Sequence, residues 1–182
     1  LKDLTDIAGK RSPWDNYVLE DELSARFITE GKSAPFPGSQ MYPKYKANFV
    51  QALLANGAVD FKVVGNLYRD GILSREKEAE VVAECKKAIE KAGGDPVMKG
   101  NFIIGMIHIG YEDAAFAAVK DYRDEEWFSA NWDVNFFAGT LFFRHRLFKE
   151  SVPFFEAAHK IESSPWVRLW LRMALSDSDD PE

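Results

Sequence analysis

The sequence predicts an all-α protein. Through most of residues 44–175, apolar side chains recur at the 3.6-residue spacing of a helix that buries one face. Glycine, proline or asparagine ends several of these segments, as helix-breaking residues do. Nowhere do four or more residues alternate strictly between apolar and polar, so no strand is predicted.

Residues 1–43 are predicted to form an N-terminal arm with one helix and a proline-rich loop. Apolar residues in a charged background predict the helix at 14–29. The segment 31–43 holds three prolines and two glycines, and no helix tolerates that density of breakers.

Further helices are predicted at 44–56, 61–69, 76–92, 98–109, 112–123, 132–146, 149–162 and 166–175. Asn56-Gly57 and Gly93-Gly94 are among the stops, because both residue types tolerate the left-handed conformation that ends a helix. Ser74 is predicted to be an N-cap. The acidic tail at 176–182 is predicted to be disordered.

Composition excludes some classes of function. The formal net charge of -6 argues against a nucleic-acid surface, which would be basic. No apolar run is long enough to span a membrane. The chain begins at Leu1, so trimming or processing is expected, and a cytoplasmic or organellar location, the latter after removal of a targeting segment, stays open. The single cysteine, Cys85, cannot form an internal disulfide.

Residues 132–165 form a 34-residue segment in which small and large side chains follow a set order. The small residues are Gly139, Ser151 and Ala158, and the aromatic residues are Phe142, Phe148 and Phe155. Pro165 closes the segment. The segment resembles the tetratricopeptide repeat (TPR), in which small residues let two helices approach and large ones fill the remaining gaps. Arg146 departs from the pattern, because a glycine commonly turns the chain there.

The period extends beyond this unit, since Gly105 lies 34 residues before Gly139. The resemblance implies a helical domain at 44–175, with units at about 58–96, 98–131 and 132–165 and a capping helix at 166–175. Its antiparallel hairpins would stack as a short right-handed TPR-like solenoid. An ordinary helical bundle with coincidental spacing is the alternative.

The resemblance also implies that the first helix of each unit lines a concave, partner-binding face. The outward positions of these helices mix basic and polar donors, which suit a peptide backbone or carboxylate, with apolar anchors. These predicted binding residues are Lys62, Asn66, Arg69, Lys99, Phe102, Met106, Phe136, Thr140, Phe143 and Arg144. For Phe102, Phe136 and Phe143, core packing is the alternative.

The predicted function is a protein–protein interaction module, scaffold or accessory subunit of a larger complex. Its partner would be a peptide segment, a helix or other subunits, and self-association stays open. Trp170 and Leu171 are expected on opposite sides of the last helix, so one side would be wet unless a partner covers it. Five aromatic residues also look exposed, namely Trp14, Phe36, Trp127, Trp166 and Trp170.

No catalytic residue, cofactor or metal site is predicted. His108, His145 and His159 lie on three predicted helices, without a second ligand at metal spacing. The acidic residues Asp121, Asp124, Glu125 and Glu126 are expected to be solvated, and Cys85 to be a buried thiol. The alternative is an all-helical enzyme in which His108, His145 and nearby carboxylates share a pocket.

Overall fold

The structure is a computed structural model, and it describes residues 49–51, 53–57, 68, 71 and 73–178. Within these residues every regular element is helical and no strand occurs, so the all-α prediction is confirmed. The predicted arm over 1–43, with its helix at 14–29, and most of the predicted helix at 61–69 lie outside these residues.

Seven α-helices follow a short 3-10 turn at Arg75–Lys77 in the described part of the chain. They are α1 (Glu78–Lys91), α2 (Pro96–His108), α3 (Glu112–Tyr122), α4 (Glu126–Ser129), α5 (Trp132–Arg144), α6 (Phe148–Ile161) and α7 (Pro165–Ser178). Where described, residues 49–56 are helical as well. The helix ends agree with the predicted ones within two residues, apart from the short α4, which was not predicted, and the end of α7. Because α7 continues to Ser178, the prediction that disorder begins at 176 is wrong for 176–178.

Polar side chains fix the first turn of two helices. The Asp95 carboxylate accepts a hydrogen bond from the Val97 amide at 2.9 Å, and Pro96 occupies the first position of α2. The Asn131 side chain accepts from the Val134 amide at 3.0 Å at the start of α5. Such caps satisfy amides that have no partner inside the helix.

Ser74 occupies the N-cap position of the 3-10 turn, but its side chain does not form the hydrogen bond of a cap. Its hydroxyl donates to the Glu76 carboxylate at 3.0 Å, and its side chain caps no amide. The Ser74 backbone is instead held by the buried Tyr111 hydroxyl, which accepts from the Ser74 amide at 3.2 Å and donates to the Ser74 carbonyl at 2.9 Å. This pairing keeps Ser74 extended, and α1 begins only after the 3-10 turn.

Three helices end in the same backbone motif, in which a residue with positive φ closes the last turn. The residue is Gly93 after α1, Gly110 after α2 and Arg146 after α5, with φ of 73°, 80° and 60°. After α5, the Leu147 amide donates to the Phe142 carbonyl at 3.0 Å and the Arg146 amide to the Phe143 carbonyl at 2.9 Å. These are the two hydrogen bonds of a Schellman cap.

The helices pack mainly against neighbours in chain order. The most extensive contact joins α5 to α6, followed by α6 to α7 and α2 to α3. Longer connections bring α2 against α5 and α3 against α5. The helix α5 therefore lies between the earlier helices α2 and α3 on one side and the later helices α6 and α7 on the other.

Two glycines that are 34 residues apart make close approaches to different neighbours. A Cβ atom added at Gly139 would lie 2.7 Å from Cε1 of Phe155, on the following helix α6. One added at Gly105 would lie 2.7 Å from Cγ of Leu53, in the preceding helical residues 49–56. Both positions therefore need glycine, but they serve different helix pairs, so the two 34-residue segments that contain them are not packed alike.

The core is formed by one cluster of apolar side chains. Among its fully buried members are Phe49, Phe102, Met106, Tyr111 and Phe128. Cys85 is also buried, as predicted for a structural thiol. No helix in the described ranges is both long and apolar enough to cross a membrane.

Candidate functional site

A chain of aromatic rings connects α5, α6 and α7 along one side of the molecule. In order of contact, the rings belong to Trp132, Phe136, Phe155, Trp170, Phe143 and Phe148. Successive ring centroids are between 5.0 and 6.2 Å apart. Phe155 at the centre is fully buried, whereas the other five are partly accessible. This aromatic chain fixes α7 on α5 and α6 through large, rigid contacts.

The outer surface of α7 carries an apolar row that no other described helix covers. Trp166, Leu169 and Met173 are 69%, 48% and 38% exposed, and their spacing of i, i+3 and i+7 places them along one side of the helix. We call these three residues the α7 stripe. Val167 and Ala174, which lie about 100° further around the helix, are fully buried. An exposed apolar row of this kind is typical of a surface that binds another molecule.

Two arginines run beside the α7 stripe. Arg168 and Arg172 are exposed and one helical turn apart. Neither forms an ion pair with any described residue. The outer side of α7 thus combines three apolar side chains with two positive charges that have no such partner.

The predicted binding residues of α5 lie at or beside the aromatic chain. Phe136 and Phe143 are half-buried members of it. The Thr140 hydroxyl donates to the Phe137 carbonyl of its own helix at 2.8 Å. The Arg144 guanidinium is exposed and lies 2.9 Å from the Glu112 carboxylate. These four residues share one helix, and two of them present aromatic surface.

The predicted binding residues of α2 do not face outward. Phe102 and Met106 are 0% exposed, because both belong to the apolar core. The prediction that these two side chains look outward is wrong, and the core-packing alternative describes Phe102. Lys62, Asn66 and Arg69 lie outside the described residues.

Lys99 is also engaged within the chain. Its ammonium donates to both carboxylate oxygens of Glu125, at 2.9 and 2.7 Å, and lies 5.0 Å from the centroid of the Tyr122 ring. The Trp127 indole donates to the same carboxylate at 2.7 Å. The Glu125 side chain is 38% exposed, and the fold also brings a cation from α2 to it, which the sequence did not predict.

This cluster shifts two pKa values. The hydrogen bonds from Lys99 and then from Trp127 hold the pKa of Glu125 below its ordinary value of 4.5, against a smaller opposing effect of burial. Burial raises the pKa of the Tyr122 phenol, and the nearby Lys99 charge opposes that rise. The cluster thus stabilises ionised Glu125 beside a neutral phenol.

The histidines named by the enzyme alternative have different partners. The Nδ1 atom of His108 lies 3.1 Å from the Gly57 carbonyl oxygen, and the ring packs against Phe137. The Nε2 atom of His145 lies 2.7 Å from the Glu112 carboxylate at the surface. Among the described residues, no three or more histidine, cysteine or acidic side chains are grouped so that they could hold a metal ion.

The α7 stripe was predicted only in part. Trp166 was expected to be exposed from the sequence, but Leu169, Met173 and the two arginines were not predicted to be binding residues. Their spacing along one helix is nevertheless visible in the sequence. Trp170 and Leu171 were expected on opposite sides of α7, yet both are half-buried. Consecutive helical residues are about 100° apart, which lets both side chains flank one broad buried face.

The described residues form an all-helical fold whose last helix presents an apolar row that no other described helix covers. No protein-family model matches the chain, and no curated protein or solved structure matches it.

Proposed function

We propose that this protein is a protein-binding module or assembly subunit, and that α7 receives an amphipathic helix of a partner protein. The observation that carries the proposal is the α7 stripe of Trp166, Leu169 and Met173. Its two-turn length and its spacing match the ridge that one helix presents to the groove of another. An extended peptide would leave most of such a ridge without complementary contacts.

The arginines beside the stripe favour an acidic flank on the partner helix. Arg168 and Arg172 lack ion pairs within the described chain, so a partner that places Glu or Asp against them gains attraction without breaking existing contacts. The half-buried Phe143 and Trp170 support the same surface from behind, because they hold α7 in place. Phe136, Thr140 and Arg144 remain the α5 residues through which a larger partner would extend its contact.

We further infer that α5, α6 and α7 form a TPR-like stack with the right-handed curvature of that repeat. The close approach of Gly139 to Phe155 and the packing of α7 on both α6 and α5 support this inference. In such a stack a helix added onto α7 takes the place of the next repeat. Of the residues named by the enzyme alternative, His108 and His145 contact different groups.

The first experiment measures binding of two designed helical peptides to the full chain by fluorescence anisotropy. Both peptides carry the same leucine heptad seam, and one has glutamate flanks whereas the other has lysine flanks. We expect the glutamate peptide to bind more tightly, with an affinity that falls as salt is raised. Replacing both arginines, Arg168→Glu with Arg172→Glu, should reverse the preference.

Two variants introduce the same charged side chain at different positions, one within the α7 stripe and one outside it. Leu169→Glu should weaken binding of the glutamate peptide by about tenfold or more, since it places a charge in the centre of an apolar contact. Val97→Glu, at a residue that is 63% exposed on α2, should have no effect. Equal losses from both variants, or no preference between the peptides, would overturn the proposal.

Positions 169 and 97 also serve to distinguish binding of another protein from self-association of this chain. A photo-crosslinking residue at position 169 should capture one protein in the cell, whereas the same residue at position 97 should not. If the chain is dimeric by light scattering and Leu169→Glu makes it monomeric, a second copy occupies the stripe, and the proposed foreign partner is wrong.

A further inference from the structure

A cleft of about 470 Å³ opens between α4, α5 and α6, away from the α7 stripe. Its apolar walls include the rings of Phe128, Phe142 and Phe154. The Phe154 centroid lies 5.1 Å from that of Phe142 and 6.1 Å from that of Phe128. The volume lies within the range of sites that bind small molecules.

The cleft is also lined by a buried polar side chain with an unused acceptor. Asn135 is 2% exposed, and its Nδ2 atom donates to the Phe128 carbonyl at 2.7 Å and to the Asn131 carbonyl at 2.8 Å. Because both acceptors are carbonyl oxygens, the amide nitrogen must face them, and this fixes the orientation of the amide. No described group donates to the remaining Oδ1 atom.

The Asn135 residue is buried, but its Oδ1 atom is not among the described buried atoms that lack a partner, so this acceptor is accessible from the cleft. The three phenylalanine rings that line the cleft favour an apolar body over water, because they offer water no hydrogen bonds. The exposed Arg123, Asp124 and Glu150, which also line the cleft, carry charges of both signs, so they select no net charge. The surroundings of Oδ1 therefore suit an apolar group that carries one donor.

We propose that this cleft binds an aromatic ring with a single N–H or O–H donor on its edge, an indole or a phenol. The ring packs against Phe128, Phe142 and Phe154, and its donor bonds to Oδ1 of Asn135. The ring is either a free small molecule or a tryptophan or tyrosine side chain of another protein. This proposal uses other side chains than the α7 stripe and stands independently of the proposed function.

The test titrates the full chain with indole and with indene, which has nearly the same shape but no N–H group. Binding is followed by NMR through the side-chain amide of Asn135 and the rings of the three phenylalanines. We expect indole to bind about tenfold more tightly, as one additional hydrogen bond gives. Equal affinities, or shifts confined to other residues, would overturn the proposal.

Asn135 itself is a poor target for substitution, since its Nδ2 hydrogen bonds hold the end of α4. Ser129, which is exposed and lines the cleft, offers a matched pair of variants. Ser129→Trp should fill the cleft and abolish indole binding, whereas Ser129→Ala should bind as the parent does. If Ser129→Trp folds normally and still binds indole with parental affinity, the ligand lies elsewhere and the assignment fails.

A second arm distinguishes the two sources of the ring. The blocked tripeptide Gly-Trp-Gly is compared with free indole, and both must lose binding in Ser129→Trp. Comparable affinity for the peptide assigns the cleft to a tryptophan or tyrosine of a protein partner. Exclusion of the peptide assigns it to a free indole or phenol.

Discussion

Arg146 is the only non-glycine residue with positive φ in the ranges that the structure describes. The sequence marked this position as a departure from the repeat, because a glycine commonly turns the chain there. The structure makes the same turn with an arginine, held by the Schellman hydrogen bonds at the end of α5. An L-residue in this conformation is less stable by about 1–2 kcal/mol, because its Cβ crowds the following carbonyl.

The strain at Arg146 gives the first prediction. Arg146→Gly should raise the free energy of unfolding by about 0.5–1 kcal/mol, since relief of strain exceeds the extra chain entropy that glycine loses. Arg146→Ala is the matched control, because it keeps the Cβ and should give no such gain. Urea denaturation followed by tryptophan fluorescence measures both. If the two variants are equally stable, the turn holds no strain.

The lowered pKa of Glu125 gives a second prediction, on pH dependence. A carboxyl group whose pKa is lowered by folding stabilises the protein above its unfolded pKa, and the effect is lost as pH falls. The stability difference between the parent and Glu125→Gln should therefore be constant, at most about 1 kcal/mol, above the ordinary value of 4.5 and should shrink below it.

Urea denaturation at several pH values measures this difference for Glu125. Asp124→Asn provides the control, because its side chain is 92% exposed and 3.9 Å from the Arg123 guanidinium, too long for a good hydrogen bond. A difference for Glu125→Gln that stays constant down to pH 3 would contradict the role of Lys99.

At the scale of single helices, the sequence was informative because each break is a local signal. Gly93 and Gly110 take the positive φ that ends a helix, and the ends of α1 and α2 were predicted within a residue. The short α4 was missed, since one helical turn is too short to show a period. The rotation of α7 was missed in part because it depends on the ring contacts of Trp170 with α5 and α6.

The two close-packed glycines give a third prediction, which distinguishes their helix pairs. Gly139→Ala should cost about 1–2 kcal/mol, because the new Cβ would meet the buried ring of Phe155. Gly105→Ala should cost a similar amount through Leu53. In double-mutant cycles, Phe155→Leu should relieve the loss at 139 only, and Leu53→Ala the loss at 105 only.

Free energies of unfolding from urea titrations supply both cycles. Additive effects in every pair would show that neither glycine is closely packed. Relief of the Gly105→Ala loss by Phe155→Leu would instead show that the two glycines serve one shared interface.

At the scale of the whole molecule, the sequence predicted an all-helical chain but not which distant residues meet. Lys99 and Glu125 lie 26 residues apart, and Ser74 and Tyr111 lie 37 apart. No local pattern records such pairs, because they depend on how the helices pack. The burial of Phe102 and Met106 was missed for the same reason, since a period shows that a face is apolar but not what covers it. Asn135 was not predicted to be a binding residue, because the side chains around it come from three helices.

The chain has a single thiol, and the rate at which a reagent labels it reports how the protein opens around it. Cys85 lies on α1 and is 0% exposed, so a thiol reagent reaches its sulfur only while that part of the molecule is open. When reclosing is faster than the reaction, the labelling rate reports the fraction of open molecules, and when it is slower, the rate counts opening events. Labelling of Cys85 thus measures the opening of α1, the first of the seven numbered helices, in the unaltered protein.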